Sequence, residues 1–412
     1  MTSQIVVINQ CGIAIASDTL TTNSGYHGQV KTIPSNTKIH QLGEEHLVAI
    51  LHSGNVFLGN VQWETLVREW SLSLNHRFDH LGDYIVNFEE WIAANAPVFK
   101  FDEAMMLFTT VCNEFSDVFG MADGSLAVTL RNKAADPTSS TDKEFDEAVC
   151  AALDSYIAYA FGRPPYGDLT PDIVAQALEA NKVDILGDFI EHAKQFGTFE
   201  FGKSVAKKLE EFACQLLIRF VPTSNSIKLN FVGFGKNDIL GQRIEVTIRN
   251  FYLGHIRMNV ESYGTDNPGD YPMIGKIAQS DAIGAFIQGV DGYSRDMFSS
   301  VALEIVDGIT ALSDEHKEEF RTKFSERTGD ILRTQFTQPL LDTLSTLGIT
   351  GMTRFAEMMI RFQCLRAASI AGEATVGGFV ESLNITRDRG IDWHERMTLD
   401  SHPIETASHV FA

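Results

Sequence analysis

The first eighteen residues alternate between short apolar runs and a polar turn, a pattern that predicts strands rather than helices. Residues 5–8 and 13–17 are apolar and rich in β-branched side chains, and residues 9–12 between them have the composition of a turn. The sequence therefore predicts a hairpin whose second strand ends at Asp18.

A second hairpin is predicted shortly afterwards. Residues 38–42 alternate between polar and apolar side chains, residues 43–45 read as a turn, and residues 46–51 form a strongly apolar run. The polar segment 19–36 between the two hairpins predicts a loop or a ragged strand. Because the apolar strands are nearly continuous, we expect the sheets to be buried on both faces.

After the second hairpin, the spacing between apolar residues changes from every second residue to about every third or fourth residue. Residues 56–74 and 78–94 place apolar side chains at helical spacing, which predicts two helices. Residues of about 100–220 are mostly helical in pattern, and polar, proline-containing loops are predicted at residues 134–143 and 162–171.

Strand patterns return in the second half of the chain, and further helices and a last hairpin follow. Strands are predicted at residues 227–234, 243–251 and 255–260, helices at 278–290, 296–347 and 352–370, and a final hairpin at 379–385 and 390–398. The helices stand in groups between groups of strands, without regular β–α–β alternation. This order favours an α+β sandwich of layers over a doubly wound parallel sheet.

Composition narrows the class of protein. The chain has 412 residues, of which 44% are hydrophobic and 21% charged, so it is long enough to bury a large core. Its formal net charge is −21, and the acidic residues are spread along the chain. Nucleic acid and anionic membranes need clustered positive charge, so neither is expected as a partner. The dispersed acidic residues are typical of a well-solvated surface.

Cysteine and histidine usage gives no support for a metal site or a disulfide framework. The five cysteines are far apart and none forms a CxxC pair, which fits reduced thiols in a cytoplasmic protein. No HExxH motif, phosphate-binding loop or GxSxG elbow is present, and the histidines are dispersed. No apolar run is long enough for a transmembrane helix, and no secretory signal is recognised. Neither a metal nor a cofactor is therefore expected.

The residues that suggest chemistry lie near the beginning of the sequence. Met1 precedes the small residue Thr2, a setting that favours removal of the initiator methionine. The hydroxyl and the free α-amine would then lie on one residue. An α-amine has a pKa of about 7.7–8.0 and can act as the general base for its own hydroxyl group.

Two charged residues are positioned by the predicted hairpins to support such a nucleophile. Asp18 ends the second strand, which returns beside Thr2, and Lys38 opens the next strand. A nearby lysine lowers the pKa of an amine by like-charge repulsion, and an aspartate holds that lysine in place. Gly54 follows an apolar strand and precedes a helix, so its backbone amide is a candidate oxyanion donor.

These residues stand in the order of a known family. The chain resembles the proteasome β-type subunits of the N-terminal nucleophile hydrolase superfamily, to which the bacterial HslV-like peptidases are close kin. The family pattern is a threonine, a hairpin, a strand ending in Ala-x-Asp, a lysine opening a strand, and a Ser-Gly turn before a helix. The matching residues here are Thr2, Gly12, Asp18, Lys38 and Gly54.

The C-terminal part of the chain adds to the resemblance, with two departures. The family has an acidic residue three positions before a Ser-Gly-Gly that enters a strand. This sequence has Glu373 in place of the usual aspartate and Val376 in place of the usual serine. The resemblance also implies a site serine, for which Ser280 is the candidate, and it places Thr22 and His52 in the substrate cleft.

The resemblance implies a four-layer αββα sandwich and covers residues 2–95, 225–292 and 350–400. Residues 1–412 then form one domain that carries helical insertions at about 100–222 and 296–348. A role in capping, docking or gating of substrate is open for both insertions. The alternative explanation of Ser280 is a helix N-cap, and that of Gly54 is a plain turn residue.

The expected function is that of a threonine-type hydrolase that cleaves peptide bonds, with Thr2 as nucleophile. Two alternatives stay open: an inactive scaffold with the proteasome fold, suggested by Glu373 and Val376, and a hydrolase of small amides. The resemblance further implies a peptide or protein substrate, a homo-oligomeric ring and a separate ATPase unfoldase.

Overall fold

Two five-stranded antiparallel sheets contain most of the strands, and helices pack against them. The computed structural model describes residues 2–24, 30–34, 37–120, 124–221, 226–263, 271–309, 312–369 and 376–397. The strands are β1 (Ser3–Asn9), β2 (Gly12–Asp18), β3 (Leu20–Ser24), β4 (Val30–Pro34), β5 (Ile39–Gln41), β6 (Val48–Ser53), β7 (Phe57–Leu58), β8 (Val61–Gln62), β9 (Ile227–Gly233), β10 (Gln242–Tyr252), β11 (His255–Tyr263), β12 (Met273–Ala278), β13 (Val380–Thr386) and β14 (Gly390–Glu395).

Helices make up the greater part of the described chain. They are α1 (Trp63–Ser73), α2 (Leu81–Phe99), α3 (Glu103–Gly120), α4 (Ser125–Ala135), α5 (Asp142–Phe161), α6 (Pro171–Ala180), α7 (Ile185–Ala193), α8 (Lys203–Ile218), α9 (Asp281–Gln288), α10 (Gly292–Asp307), α11 (Asp314–Leu332), α12 (Gln338–Thr346) and α13 (Ile349–Ser369). Among them, none that the structure describes is both long and apolar enough to cross a membrane.

The strand order joins the beginning and the end of the chain. The first sheet has the order β12-β1-β2-β13-β14, and the second has the order β11-β10-β9-β6-β5. Two small pairs, β3-β4 and β7-β8, stand apart from them. All of these pairings are antiparallel. The chain is therefore a mixed helical and antiparallel β protein, as its pattern of elements predicts.

Strand β1 is buried on both of its faces, as expected from its continuous apolar run. Ile5 and Val7 pack in a cluster with helices α9, α12 and α13, whereas Val6 and Ile8 pack in another cluster with residues of the second sheet. Since side chains alternate along a strand, one short apolar segment contributes to two different parts of the core.

The second sheet divides its side chains in the same way. Val48 and Ile50 of β6 pack with helices α1 and α2, around the buried residue Trp70. Ala49 and Leu51, the residues that alternate with them, pack against the first sheet. The two sheets thus share one hydrophobic cluster, and each has another on its opposite face.

Helices α3 to α8 form a block with a hydrophobic cluster of its own, built around residues such as Phe115, Phe189 and Phe212. From the sheets, Tyr252 of β10 reaches into this cluster. Glu114 of α3 forms a buried ion pair with Arg249 of β10. The first helical insertion predicted from the sequence is therefore attached to the second sheet through β10.

Arg249 is the polar link between the helical block and the sheet. Its guanidinium also donates hydrogen bonds to the carbonyl oxygens of Leu216 and Arg219, the latter at 2.9 Å, at the end of α8. The side chain is almost completely buried. A buried charge is stable only when its partners are in place, so this residue fixes the position of the block.

Helices α10 to α12, in the second predicted insertion, are less deeply packed. Helix α10 buries only Val306, and α11 buries none of its side chains. A short π-helical segment, Arg333–Thr337, connects α11 to α12.

The segment 19–36, predicted as a loop or ragged strand, contains the paired strands β3 and β4, so the strand alternative is confirmed. Two predicted helices need correction. The helix predicted from residue 56 begins only at Trp63, because Gly59, with a φ of +59°, forms a hairpin turn between β7 and β8. The edge strand β12 was not predicted, and α9 is shorter than the helix expected at 278–290.

We predict that Arg249→Leu lowers the free energy of unfolding by roughly 3–5 kcal/mol, because Glu114 would remain buried without its partner. Urea unfolding followed by circular dichroism measures this loss. The double variant Glu114→Leu, Arg249→Leu should lose less than the sum of the two single variants. Arg68→Leu, which breaks the exposed pair with Glu69, should stay within about 1 kcal/mol of the unsubstituted protein.

Candidate active site

The carboxylate of Asp18 joins three segments of the chain at the end of β2. Its Oδ1 accepts hydrogen bonds from the backbone amide of Ser3 at 2.8 Å and from Nζ of Lys38 at 2.7 Å. Its Oδ2 accepts the amide of Gly377 at 3.1 Å. Asp18 is completely buried. The structure therefore brings the predicted aspartate–lysine pair together one residue from Thr2.

Lys38 is held by two acceptors. Besides the bond to Asp18, its ammonium donates a hydrogen bond of 2.7 Å to the carbonyl oxygen of Leu20. Burial lowers the pKa of Lys38 below its ordinary value, and the charge of Asp18 opposes this effect. The result is a buried ion pair with a fixed geometry.

Thr2 precedes β1 and is only 8% exposed. Its carbonyl oxygen accepts a hydrogen bond of 2.9 Å from the amide of Gln279, and the following residue, Ser3, is paired with Ala278. Thr2 therefore lies at the end of the first sheet where β1 begins and where β2 and β12 end.

Gly54 follows β6 and has a φ of +91°, a conformation that favours glycine. A Cβ atom at this position would lie 2.6 Å from the carbonyl oxygen of Ser226. The backbone approach to Ser226 thus gives a structural reason for glycine here, whether or not its amide also binds a substrate oxyanion.

A cavity of about 390 Å³ lies beside the beginning of β1. Gly54 and Ala278 line it, and Ala278 is the register partner of Ser3. The helical block supplies part of its wall through Arg163 and Phe220. This cavity is the candidate substrate cleft, although Thr2, Asp18 and Lys38 are not among the residues that line it.

Ala278 has an unusual backbone conformation, with a φ of +60° in a residue other than glycine. Such conformations cost free energy and persist only where the surrounding structure imposes them. Here the strain falls at the end of β12, between the cavity and Ser3.

Ser280 precedes α9, as predicted, but its hydroxyl does not cap the helix. Oε1 of Gln363, from α13, accepts the amides of Ala282 at 2.9 Å and Ile283 at 3.3 Å instead. Ser280 therefore occupies the N-cap position, as the alternative explanation has it, but without the side-chain hydrogen bond that usually accompanies it. Ser280 lines a different cavity from Gly54, so the structure does not place these two predicted residues in one pocket.

Of two further predicted residues, only Thr22 lies in the part of the chain that the structure describes. Thr22 lies in β3, opposite Thr32 of β4. Glu373 lies outside the described residues. Val376, where the resemblance expects a serine, is 1% exposed, and the amide of the following Gly377 reaches Asp18. The backbone contact to the aspartate therefore does not depend on a hydroxyl at position 376.

His52 is packed in the core rather than exposed in the cleft. Its ring stacks on that of His40, with 5.1 Å between the centroids, and Nδ1 of His52 lies 3.0 Å from Nε2 of His40. Burial lowers the pKa of His40 to about 4 and that of His52 well below its usual value, the latter helped by the charges of His40 and Lys38. Both rings are consequently neutral at pH 7.

Two residues that hold the site together were missed by the sequence reasoning. The side-chain amide of Gln4 donates hydrogen bonds to the carbonyl oxygens of Lys38 at 3.3 Å and His52 at 3.2 Å. Glu381 accepts the hydroxyl of Thr37 at 2.6 and 2.8 Å, and burial raises the pKa of its carboxyl group. A polar residue inside an apolar strand is the signal that could have identified both.

The described residues hold no group of three or more His, Cys, Asp or Glu side chains placed to bind a metal ion. Comparison with known proteins gives no independent identification: no family model matches the chain, and no curated protein matches its sequence. The interpretation of the site therefore depends on its geometry and on the order of its residues along the chain.

We predict that acidification destabilises the protein through the buried histidine pair. The pKa of His40 is about 4 in the folded protein and about 6.5 in the unfolded chain. Between these pH values the unfolded chain binds more protons, so the free energy of unfolding decreases as the pH is lowered. For His40 alone the loss between pH 7.5 and pH 5 is about 2 kcal/mol.

Urea unfolding at the two pH values measures this dependence. The variant His40→Gln should lose stability at both values but show a smaller difference between them. His76→Gln, at an exposed position, serves as the control and should keep the full difference. An equal pH dependence in all three proteins would contradict the prediction.

Proposed function

We propose that this protein is a threonine-type N-terminal nucleophile hydrolase that cleaves peptide bonds. The observation that carries the proposal is the buried Asp18 carboxylate, which binds Lys38 and the amide of Ser3 at the same time. A buried ion pair is costly to maintain, and this one lies next to the residue that the sequence marks as the nucleophile.

The proposed architecture is the four-layer αββα sandwich of that superfamily. Its support is the division of side chains described above: the two sheets share a cluster, the first sheet packs on α9, α12 and α13, and the second packs on α1 and α2. In this arrangement the helical block and helices α10 and α11 are additions to the common fold, whereas α12, from the same predicted insertion, also packs on the first sheet through Leu344.

The proposed reaction begins with removal of Met1, which leaves Thr2 with a free amine. The positive charge of Lys38 lowers the pKa of that amine, so its neutral form accepts the proton of the Thr2 hydroxyl. The oxygen attacks the substrate carbonyl carbon, and a tetrahedral intermediate with a negatively charged oxygen forms.

The second half of the reaction releases the products. The backbone amide of Gly54 stabilises the oxyanion by a hydrogen bond. The C–N bond breaks, the Thr2 amine returns its proton to the leaving amine, and an ester to Thr2 remains. Water then hydrolyses the ester and restores the hydroxyl group.

The cavity beside β1 suggests where the substrate chain lies. Because Arg163 and Phe220 of the helical block form part of its wall, the block limits the size of the group that enters. A homo-oligomeric ring and a separate ATPase unfoldase belong to the same proposal, as the arrangement that the resemblance implies.

We predict that Thr2→Ala lowers the hydrolysis of fluorogenic peptides by about three orders of magnitude or more, because the nucleophile is removed. Thr2→Ser, which keeps a hydroxyl group, should retain measurable activity. Ser3→Ala is the matched control, since the Ser3 hydroxyl is buried and has no hydrogen-bond partner among the described residues. Unchanged hydrolysis by Thr2→Ala would exclude the mechanism.

Intact mass spectrometry separates the proposal from its alternatives. Loss of Met1, followed by a covalent adduct of a threonine-directed inhibitor on Thr2, is the expected result. Retention of Met1 would exclude the threonine mechanism and favour an inactive scaffold. Turnover of small amides without turnover of peptides would instead identify a small-amide hydrolase.

A further inference from the structure

A second and larger cavity, of about 840 Å³, lies between β12 and the helices α9, α10 and α13. Three cationic side chains line it: Lys276 of β12, Arg295 of α10 and Arg366 of α13. We call it the basic cavity. Its volume is within the range of small-molecule sites, and its cations come from three separate elements of the fold.

The cations of the basic cavity lack strong partners. Within the described residues, the ammonium of Lys276 and the guanidinium of Arg366 form no ion pair and donate no hydrogen bond. In the part of the chain that the structure describes, Arg295 pairs only with its neighbour Asp296, whose side chain is 75% exposed. Exposed pairs of this kind contribute little, so Arg295 remains available to a ligand.

The carboxylates in the same cavity are engaged in local contacts. Oδ1 of Asp281 accepts a hydrogen bond of 2.5 Å from Gln363. Asp291 caps α10 by accepting the amide of Ser294 at 2.9 Å and its hydroxyl at 2.7 Å. These acids hold helix ends in place, and among the described residues neither forms an ion pair with a cation of the cavity. The pKa of Asp291 is lowered by its hydrogen bonds to Ser294 and, to a smaller extent, by the charge of Arg366.

Partial burial of Lys276 disfavours its charged form. Desolvation lowers the pKa of its amine, and the charge of Arg295 adds to the effect. An anion bound between the two would favour the charged form of the lysine, since opposite charges stabilise each other.

We propose that the basic cavity binds a small organic anion that carries phosphate or carboxylate groups. Arg295 and Arg366 supply planar donors suited to such groups, and Lys276 supplies a point charge from β12. Tyr293 and Phe362, which are exposed at the cavity, offer flat apolar faces to the remainder of the molecule.

The inference is independent of the proposed hydrolase. Of the predicted site residues that the structure describes, only Ser280 lines the basic cavity, and the charges that form it are not used in the reaction. The chain carries a formal charge of −21, which repels small anions from the surface as a whole. Saturable binding of an anion therefore reports a local concentration of positive charge.

Isothermal titration calorimetry on the full chain, at fixed ionic strength, tests the proposal with three probes: pyrophosphate, citrate and AMP. We expect saturable binding of at least one of them. Binding of pyrophosphate or AMP without citrate would assign a phosphate ligand, and binding of citrate alone a carboxylate ligand. Absence of binding for all three at millimolar concentration would overturn the proposal.

Variants locate the bound anion. Arg366→Gln removes one cation and should weaken binding by about tenfold or more, as expected for a hydrogen bond to a charged group. Arg354→Gln, on the same helix at an exposed position outside the cavity, is the matched control and should bind as the unsubstituted protein does. Equal weakening in both variants would overturn the assignment.

A second variant tests the proposal if Arg366→Gln does not fold. If circular dichroism shows that Arg366→Gln is unfolded, Arg295→Gln replaces it, because that side chain is 46% exposed and its loss leaves no buried charge unpaired. Binding by Arg295→Gln as tight as by Arg354→Gln would then contradict the proposal.

Discussion

The buried ion pair between Asp18 and Lys38 is the constraint on which the arrangement of the candidate site depends. Transfer of two charges from water to the interior is expensive, and it is offset only when both partners are fully hydrogen-bonded. Here the carboxylate has three donors and the ammonium two acceptors. The beginnings of β1 and β5, the end of β2 and the approach to β13 must therefore meet at one place.

The surroundings of the pair make its electrostatic interaction strong. The two sheets and their helices exclude water from the strands that carry these residues, and charges interact more strongly in such an environment. Gln4 and the Glu381–Thr37 contact tie the neighbouring backbone together, and the neutral ring of His52 adds no competing positive charge at pH 7. The charged groups near Thr2 thus have little freedom to reorganise.

Much of the hairpin framework could be predicted from the sequence, because a short turn fixes the register of the strands that it connects. The meeting of Asp18 with Ser3 follows from that register alone. The edge strand β12 could not be recognised, since Gly275 and Lys276 interrupt its apolar pattern. The capping of α9 by Gln363 was also beyond prediction, because it joins two helices far apart in the chain.

The helical block has a consequence for the order in which the chain becomes structured. Strand β6 pairs with β9, so that Ile50 lies opposite Phe231, yet helices α1 to α8 separate the two strands in sequence. Bringing such distant segments together costs chain entropy unless the intervening residues are already compact. Because the block has its own hydrophobic cluster, we infer that it becomes compact first. A compact block keeps the ends of β6 and β9 close to each other, so that the two strands can pair.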